Sequence, residues 1–509
     1  MGSEDRSAYT TDIVYPSAFG AFQAPVHVAY AGALGGRRPP SLERPFRYCD
    51  LGSGAGLTLC VLADCYPEAE FHGVDINPEH VRQARELARS AGLGNVTFHE
   101  ASFADLDKLK LPQFEFVAMS GVYSWLPRGL RDDCLRWIGR NLSPDGLLFL
   151  HYGALPGNSQ IDALYTLVRE AAAQAPGDSL QKFASATALM SRLSEANARF
   201  FVANPYARAW LKGLPEQDPR SMAHEVLNAQ PTSLSVRDVA DETSPHGLVF
   251  VANAQVELNH LPLVAPPALL GELEGYVPIA REMLMDAVRN THSRMDVMAS
   301  EGVAPEPFRA VAADLLLDRL STGPLTDARR KLTESTGHDF NSSLHGAILS
   351  VVNGAPLKVS DVVAHPALKA FDPAAVDGAV QLLVATKLLN VLRRGYAPTR
   401  APGAGVRLAS RLNQVLLEER IEAAGQLPLA SPVAGTQVLL PPADRLALLS
   451  ILGGDFAAAW RRVQAAGQRV RYEGRAVGDA RELQVVAARR AEAIGAAAVA
   501  SLSQLGILT

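Results

Sequence analysis

One stretch of this chain limits its fold more than any other: Arg47-Tyr-Cys-Asp-Leu-Gly-Ser-Gly-Ala-Gly-Leu-Thr58. It reads as a short strand, a glycine-rich turn and the start of a helix. Asp50 stands two residues before Gly52, and Gly54 and Gly56 follow at alternate positions. Such a turn lets a ligand approach bare backbone at the carboxyl end of a strand, where open α/β sheets bind their ligands.

The neighbouring sequence supplies the rest of such a sheet. Glu70–Asp75 reads as a second strand ending in an acid, followed by Asn77 and Pro78, residues favoured at a helix cap and first position. Val81, Ala84, Leu87, Ala88 and Ala91 give that helix one apolar face, and Gly92 closes it. Val96–Glu100, Phe114–Met119 and Leu147–His151 read as strands three to five, with a helix carrying Leu130, Cys134, Leu135 and Ile138 before the last. Short apolar strands alternating with amphipathic helices predict an α/β, Rossmann-like, doubly wound parallel sheet.

Beyond Gly157 the rhythm changes to Ala-rich helical periodicity, which predicts a helical insertion over about 158–222. Leu248–Ala252 is strand-like and would return to the sheet, and Pro262, Pro266 and Pro267 mark a boundary near residue 265. Within 266–400, the segments Ser342–Val352, Val359–Val363, Ala374–Leu388 and Asn390–Arg394 resemble a helix-turn-helix with a wing. A packing or interaction module fits this region better than DNA binding, because cations beyond Lys387, Arg393 and Arg394 are few. Ala401–Gly405 reads as a linker, and 406–509 as a helical C-terminal domain with a Pro/Gly-rich stretch at Pro428–Pro442.

At 509 residues the chain exceeds one hydrophobic core, and a net charge of −5 argues against a nucleic-acid partner held by a basic face. Cys49, Cys60, Cys65 and Cys134 form no CxxC pair and no His cluster completes a metal set, so buried reduced thiols and no metal are expected. No apolar run reaches the ~18–20 residues of a membrane span and no signal-like segment leads the chain, so a cytoplasmic location is expected. Tyr15-Pro16-Ser17 and Phe19–Phe22 precede the first strand; such a segment packs on the sheet or covers a site.

Two cofactor classes use this architecture. Dinucleotide sites want G-x-G-x-x-G, but here the third position is Leu57. A carboxylate at Asp50 would repel a pyrophosphate, whereas it suits S-adenosylmethionine, which carries an ammonium and a sulfonium and no phosphate. An acid at Asp75 can accept ribose hydroxyls in either class.

These residues resemble the class I S-adenosylmethionine-dependent methyltransferases that carry a methyltransferase regulatory domain, among them rickettsial protein-lysine methyltransferases. The resemblance rests on Tyr15-Pro16, Asp50–Gly56, Gly73–Asp75, Gly121-Val-Tyr-Ser-Trp125, Asn141–Gly146, Leu155–Gly157 and Ala223-His-Glu225. It implies a helical dimerisation insert, then a middle and a C-terminal domain around an open cavity. By position it places Asp50, Gly52, Ser53, Gly54 and Gly56 along the methionine part of the cofactor. It places Asp75 and Ile76 at the ribose and adenine, Ser102 and Phe103 against the adenine, and Ser120 and Gly121 beside the transferring methyl. The chain departs from the relatives at Gln23-Ala-Pro-Val26, where they often read Gln-Thr-His-Pro. It departs again after strand five, with Tyr152-Gly-Ala and Pro156-Gly-Asn158 where many have Tyr-Asn-Thr and Pro-Gly-Trp.

Methyl transfer needs a neutral nucleophile positioned close to the methyl. A lysine acceptor, with an ordinary pKa of ~10.4, must lose its proton first, so an aromatic, desolvated channel helps. Tyr123 and Trp125 are the candidates to wall it, or else pack helix on sheet, and Tyr152 is the candidate to accept or orient the amine. His151, in phase with buried residues, reads as structural. No Asn/Asp-Pro-Pro-Tyr motif, Pro-Cys nucleophile pair or metal-binding acid set follows strand four. The leading expectation is N-methylation of protein lysines. The others are a small-molecule (natural product or glycan) methyltransferase and a non-catalytic cofactor-binding interaction protein.

Overall fold

The computed structural model describes residues 12–509 except 14, 17, 229–231, 320–328, 330, 333, 335–336, 398–404, 424, 467–470, 473–474, 477–484 and 486–498. Ser17 and most of the Ala401–Gly405 linker lie outside the described residues. At its centre, strand β1 (Arg47–Leu51) pairs in parallel with β2 (Glu70–Asp75) on one side and β4 (Phe114–Met119) on the other. β3 (Val96–Glu100) lies beyond β2 and β5 (Leu142–Gly153) beyond β4, both parallel. β6 (Leu248–Asn253) and β7 (Ser293–Ser300) complete seven strands in the order β3-β2-β1-β4-β5-β7-β6, with β7 antiparallel to both neighbours.

The sheet is therefore mixed rather than wholly parallel. Its extent also corrects the boundary at residue 265. β7 is read out after all three boundary prolines, yet it is inserted between β5 and β6, so the sheet runs on to residue 300. β5 is longer than its apolar run, starting at Leu142 and bulging against β4 between Phe114 and Phe116.

Helix α1 (Pro25–Leu34) lacks a polar face: eight of its ten residues are buried, and it packs on the β5–β7–β6 side of the sheet. A side chain at Gly32 would come within 2.7 Å of Leu147, and one at Gly35 within 2.3 Å of Val251, so glycine sets this close approach. Helix α2 (Leu57–Cys65) leaves the glycine turn and is buried along nearly its whole length. Helix α3 (Pro78–Ala91) is capped by the Asn77 side chain, which accepts from the Glu79 amide at 3.0 Å, and ends on Gly92 at φ 69°. Helix α4 (Arg128–Asn141) connects β4 to β5.

After β5, α5 (Ser159–Ala173), α6 (Ser179–Glu195) and three shorter helices, ending with Pro219–Leu227, form a helical unit with its own core. Ile161, Leu164, Val168, Phe183, Met190 and Phe201 are buried in it. The middle region holds three helices beside a small sheet, with one strand, Asn390–Leu392, following the third helix. Helices Ser343–Val351, Val359–Val363 and Pro373–Ala385 accompany a three-stranded sheet of Leu316–Asp318, Leu357–Lys358 and Asn390–Leu392. In the C-terminal region the Pro/Gly-rich stretch is a hairpin, Leu427–Ser431 with Thr436–Leu440, set among helices. The hairpin rests on α2, where the Cys65 thiol donates to the Thr436 carbonyl at 3.4 Å. Arg393 bonds the Cys65 carbonyl and Glu68 and lies 4.5 Å over the Tyr66 ring. No described helix is long and apolar enough to cross a membrane.

Candidate active site

The carboxyl ends of β1, β2, β4 and β5 converge on a cavity of about 540 Å³, a size suited to a drug-sized ligand. The glycine turn forms its floor. Gly52, Gly54 and Gly56 all have positive φ, at 91°, 54° and 74°, conformations that other residues adopt only at a cost. The three differ in their surroundings. A Cβ on Gly52 would press Val122 at 2.6 Å, and one on Gly56 would press Ala84 at 2.6 Å and Phe98 at 2.7 Å. At Gly54 it would meet nothing within 4 Å, because Gly54 faces the cavity.

Asp50 closes one end of this floor. It is 3% exposed; its Oδ2 accepts from the Gln23 amide at 3.4 Å, and its Oδ1 has no hydrogen-bond partner among the described residues. Burial, the nearby Asp75 charge and a partly offsetting Gln23 hydrogen bond leave its pKa raised to about 7. Gln23 Oε1 and the Ser53 hydroxyl are likewise buried without partners. A buried carboxylate oxygen and an amide oxygen with nothing to accept are matched by a ligand that donates, above all an ammonium group.

Asp75 ties the turn to the second strand. Its Oδ2 accepts from the Gly54 amide at 2.8 Å and its Oδ1 from the Asn77 amide at 2.9 Å, with His80 Nδ1 at 3.3 Å. His80 Nε2 in turn accepts from the Tyr15 amide at 3.2 Å. The leading segment is thus fastened over the turn, and Thr58 fastens it again by accepting from the Gly20 amide at 3.0 Å. Tyr15, Pro16, Ala18, Phe19, Gly20 and Gln23 all line the cavity, so this segment covers a site as well as packing on the fold.

A second, smaller hollow of about 60 Å³ lies beyond Asp75. Ile76, Ser102 and Phe103 line it together with Gly52, Val122, Leu126, Pro127 and Leu130. Asp75 and Trp125 line both spaces, so the two adjoin across these side chains. Asp50, Gly52, Ser53, Gly54, Gly56 and Ser120 face the larger space. The sequence-expected cofactor residues therefore divide between a polar chamber and an apolar slot, the division that an amino-acid part and a planar base would require.

The acceptor side needs correction. Tyr123 lines neither space: it is fully buried, its hydroxyl donates to Glu242 at 2.6 Å, and Arg131 lies 5.5 Å over its ring. It belongs to the core behind the site. Tyr152 borders the larger cavity, but its hydroxyl donates to Asp296 at 2.6 Å, in a buried network where Arg294 also bonds Asp296 and Asp286 at 2.9–3.0 Å. Trp125 does face the cavity, with the Tyr15 and His224 rings 6.2 and 5.3 Å away. His151, expected to be structural, also faces it. Burial lowers its pKa to about 4, so it is a neutral imidazole at pH 7.

Sequence reasoning passed over Gln23, His80 and Asp162 as site residues. His80 carried a signal, a polar side chain on the apolar stripe of α3. Gln23 carried only its agreement with the first residue of the relatives' leading-segment motif, and Asp162 carried none, because the contacts that bring it to the cavity are long-range.

Residues 42–240 match a family model described as a methyltransferase domain, and residues 218–299 one described as a predicted methyltransferase regulatory domain. The first spans the turn, the smaller hollow, the helical unit and most of the larger cavity's lining, without the leading segment. The chain is a class I S-adenosylmethionine-dependent methyltransferase. S-Adenosylmethionine is its cofactor, in keeping with the unpartnered acceptors at Asp50 and Gln23. This methyltransferase is 27% identical to a Synechocystis protein without an assigned activity, over 70% of this chain and 71% of that one. It is 26% identical to a protein of Rickettsia prowazekii over 58% of this chain and 53% of the relative. Its fold is similar to that of PKMT2 from Rickettsia typhi, solved in complex with AdoHcy. The TM-score is 0.67 at 17% identity, covering 97% of this methyltransferase and 99% of that chain.

Proposed function

We propose that the enzyme N-methylates lysine side chains of protein substrates, by in-line transfer to the amine. One observation carries this reading. Among the described residues the larger cavity is lined by four carboxylates, Asp50, Asp75, Asp162 and Glu225, and by no lysine or arginine. An anionic acceptor such as a nucleic acid or a carboxylic acid would enter against that charge, whereas a protonated amine is drawn in. The cofactor supplies an electrophilic methyl group. Asp50 and Gln23 hold its ammonium end, the glycine turn gives it backbone to lie on, and the second hollow takes its base. Trp125 offers an aromatic face to the cationic amine. His151 adds no opposing positive charge, because burial keeps it neutral.

Leu167, Leu189, Leu193, Val202 and Tyr206 are exposed apolar residues of the helical unit, and they support a homodimer that pairs through it. A small-molecule amine is the second reading, favoured by the leading segment, whose Tyr15–Gln23 residues line the cavity. Incubation with labelled methyl donor and a bacterial cell extract separates the two. Label in protein, recovered as methyllysine after hydrolysis, supports the first; label confined to small molecules overturns it.

A further inference from the structure

We propose that the helical unit between β5 and β6 is the enzyme's acceptor-recognition element, with Asp162 and Glu225 forming a subsite for the positively charged head of an amine. This rests on the methyltransferase reading of the site and adds to it the residues that select the acceptor. Two of the four cavity carboxylates, Asp50 and Asp75, belong to the sheet and to the cofactor. The other two come from outside the sheet, Asp162 from α5 and Glu225 from the helix Pro219–Leu227, which packs against α5. Both line the same cavity as the glycine turn, and the Tyr165 ring is close enough to feel both charges.

The two acids are not equally provided for. Asp162 lies in the first turn of its helix, where the dipole favours an anion, and accepts from the Ser233 hydroxyl at 3.0 Å. Glu225 has no such support. It stands in the last turn of its helix, the end that disfavours an anion, is half-buried, and has no hydrogen-bond or ion-pair partner among the described residues. Arg169 is a cation near Asp162, but it lines no part of the cavity and is bonded to the Val226 carbonyl and the Thr166 hydroxyl. A half-buried carboxylate kept at the wrong end of a helix without a partner costs stability, and a cation arriving through the cavity would offset that cost. Tyr15 and Trp125 add aromatic faces nearby, the first close enough to Glu225 to feel its charge. Solvated surface acids, by contrast, would not line the chamber that the glycine turn floors.

The test uses the full chain saturated with S-adenosylhomocysteine, titrated with N-acetyl-lysine amide and with its uncharged analogue N-acetyl-norleucine amide, binding being followed by NMR. Wild-type protein should bind the lysine compound at least tenfold more tightly than the norleucine compound. Glu225→Gln should lose most of that preference while its affinity for S-adenosylhomocysteine, measured separately by calorimetry, stays within about twofold. Glu225→Gln should also melt at a higher temperature without ligand, because an uncompensated charge is gone, which excludes misfolding as the cause. No preference for the lysine compound in wild-type protein, or an unchanged preference in Glu225→Gln, overturns the assignment. Failure of wild-type protein to bind S-adenosylhomocysteine would instead strike the methyltransferase reading, and the assignment would fall with it.

Discussion

S-Adenosylhomocysteine should bind about fiftyfold more tightly at pH 7 than at pH 5, and Asp50 should be the reason. Without ligand, burial and the neighbouring Asp75 raise the Asp50 carboxyl to a pKa of about 7. It is then about half ionised at pH 7 and about one-hundredth ionised at pH 5, so the form that can pair with an ammonium group falls about fiftyfold. The ligand's own amine remains charged across this window. Each unit of the shift from 3.8 to about 7 corresponds to about 1.36 kcal/mol of preference for the protonated form, which the ion pair must overcome. The sign for stability is opposite. A carboxyl whose pKa is raised on folding stabilises the fold below its ordinary pKa, and that contribution is lost as pH rises through about 7. Asp50→Asn should therefore flatten the pH profile of binding, weaken it at pH 7, and raise the melting temperature of ligand-free protein at pH 8 but not at pH 4. Calorimetry from pH 5 to 8 and thermal melts of both proteins check this. A wild-type binding profile that is flat over this range, or one that Asp50→Asn leaves sloping, would refute the argument.

Other substitutions separate residues that the sequence alone made look alike. Gly54→Arg should abolish S-adenosylhomocysteine binding in a folded protein, since its side chain projects into open cavity, whereas Gly56→Ala should lower soluble yield by driving a methyl group into Ala84 and Phe98; calorimetry and melting curves distinguish the two. Tyr123→Phe should cost about 1 kcal/mol of stability by removing its bond to Glu242 and leave ligand affinity unchanged. Trp125→Ala should do the reverse, weakening binding with a smaller change in denaturant midpoint. Arg294→Met should destabilise by about 3–5 kcal/mol, because Asp296 is left buried without a cation and Asp286 keeps only Arg289, seen as a fall in urea midpoint.

The cofactor half of the molecule was legible because its signals are local. Strand, glycine turn and capped helix repeat at short spacing, and each of β1 to β4 is a contiguous run of suitable residues. β7 was not legible, for a definite reason. Ser293-Arg-Met-Asp-Val-Met-Ala-Ser300 holds Arg294 and Asp296, both fully buried, and their pairing with each other, with Asp286 and Glu282 and with the Tyr152 hydroxyl makes the strand compatible with a sheet interior. Helix α1 escaped notice because a helix buried all round shows no amphipathic period. The hairpin went unread in a region taken as helical, because Pro428 and Pro432 break the strand pattern, although Pro428 pairs opposite Leu439. Tyr123 and Trp125 share one short helical turn, where two residues of separation send one ring into the core and the other into the cavity. The acceptor side was least legible because Asp162, Glu225 and the leading segment reach it only through packing of distant elements.

The place of β7 between β5 and β6 also bears on how the chain is made. β5 ends at Gly153 and its antiparallel partner begins at Ser293, 140 residues later by subtraction. At ~5–20 residues per second, a ribosome takes roughly 7–28 s to deliver the strand that seals that edge. Throughout that interval Leu147, Leu148, Phe149 and Leu150, all buried in the finished fold, lie along a strand that β4 pairs on one edge and nothing yet pairs on the other. The glycine turn, β1 to β4 and the helical unit can form meanwhile, but the sheet cannot close. Arg294 and Asp296, the two fully buried charges of β7, enter the sheet only in that last step. Nascent chains stalled short of residue 300 should therefore be the species most in need of chaperone cover.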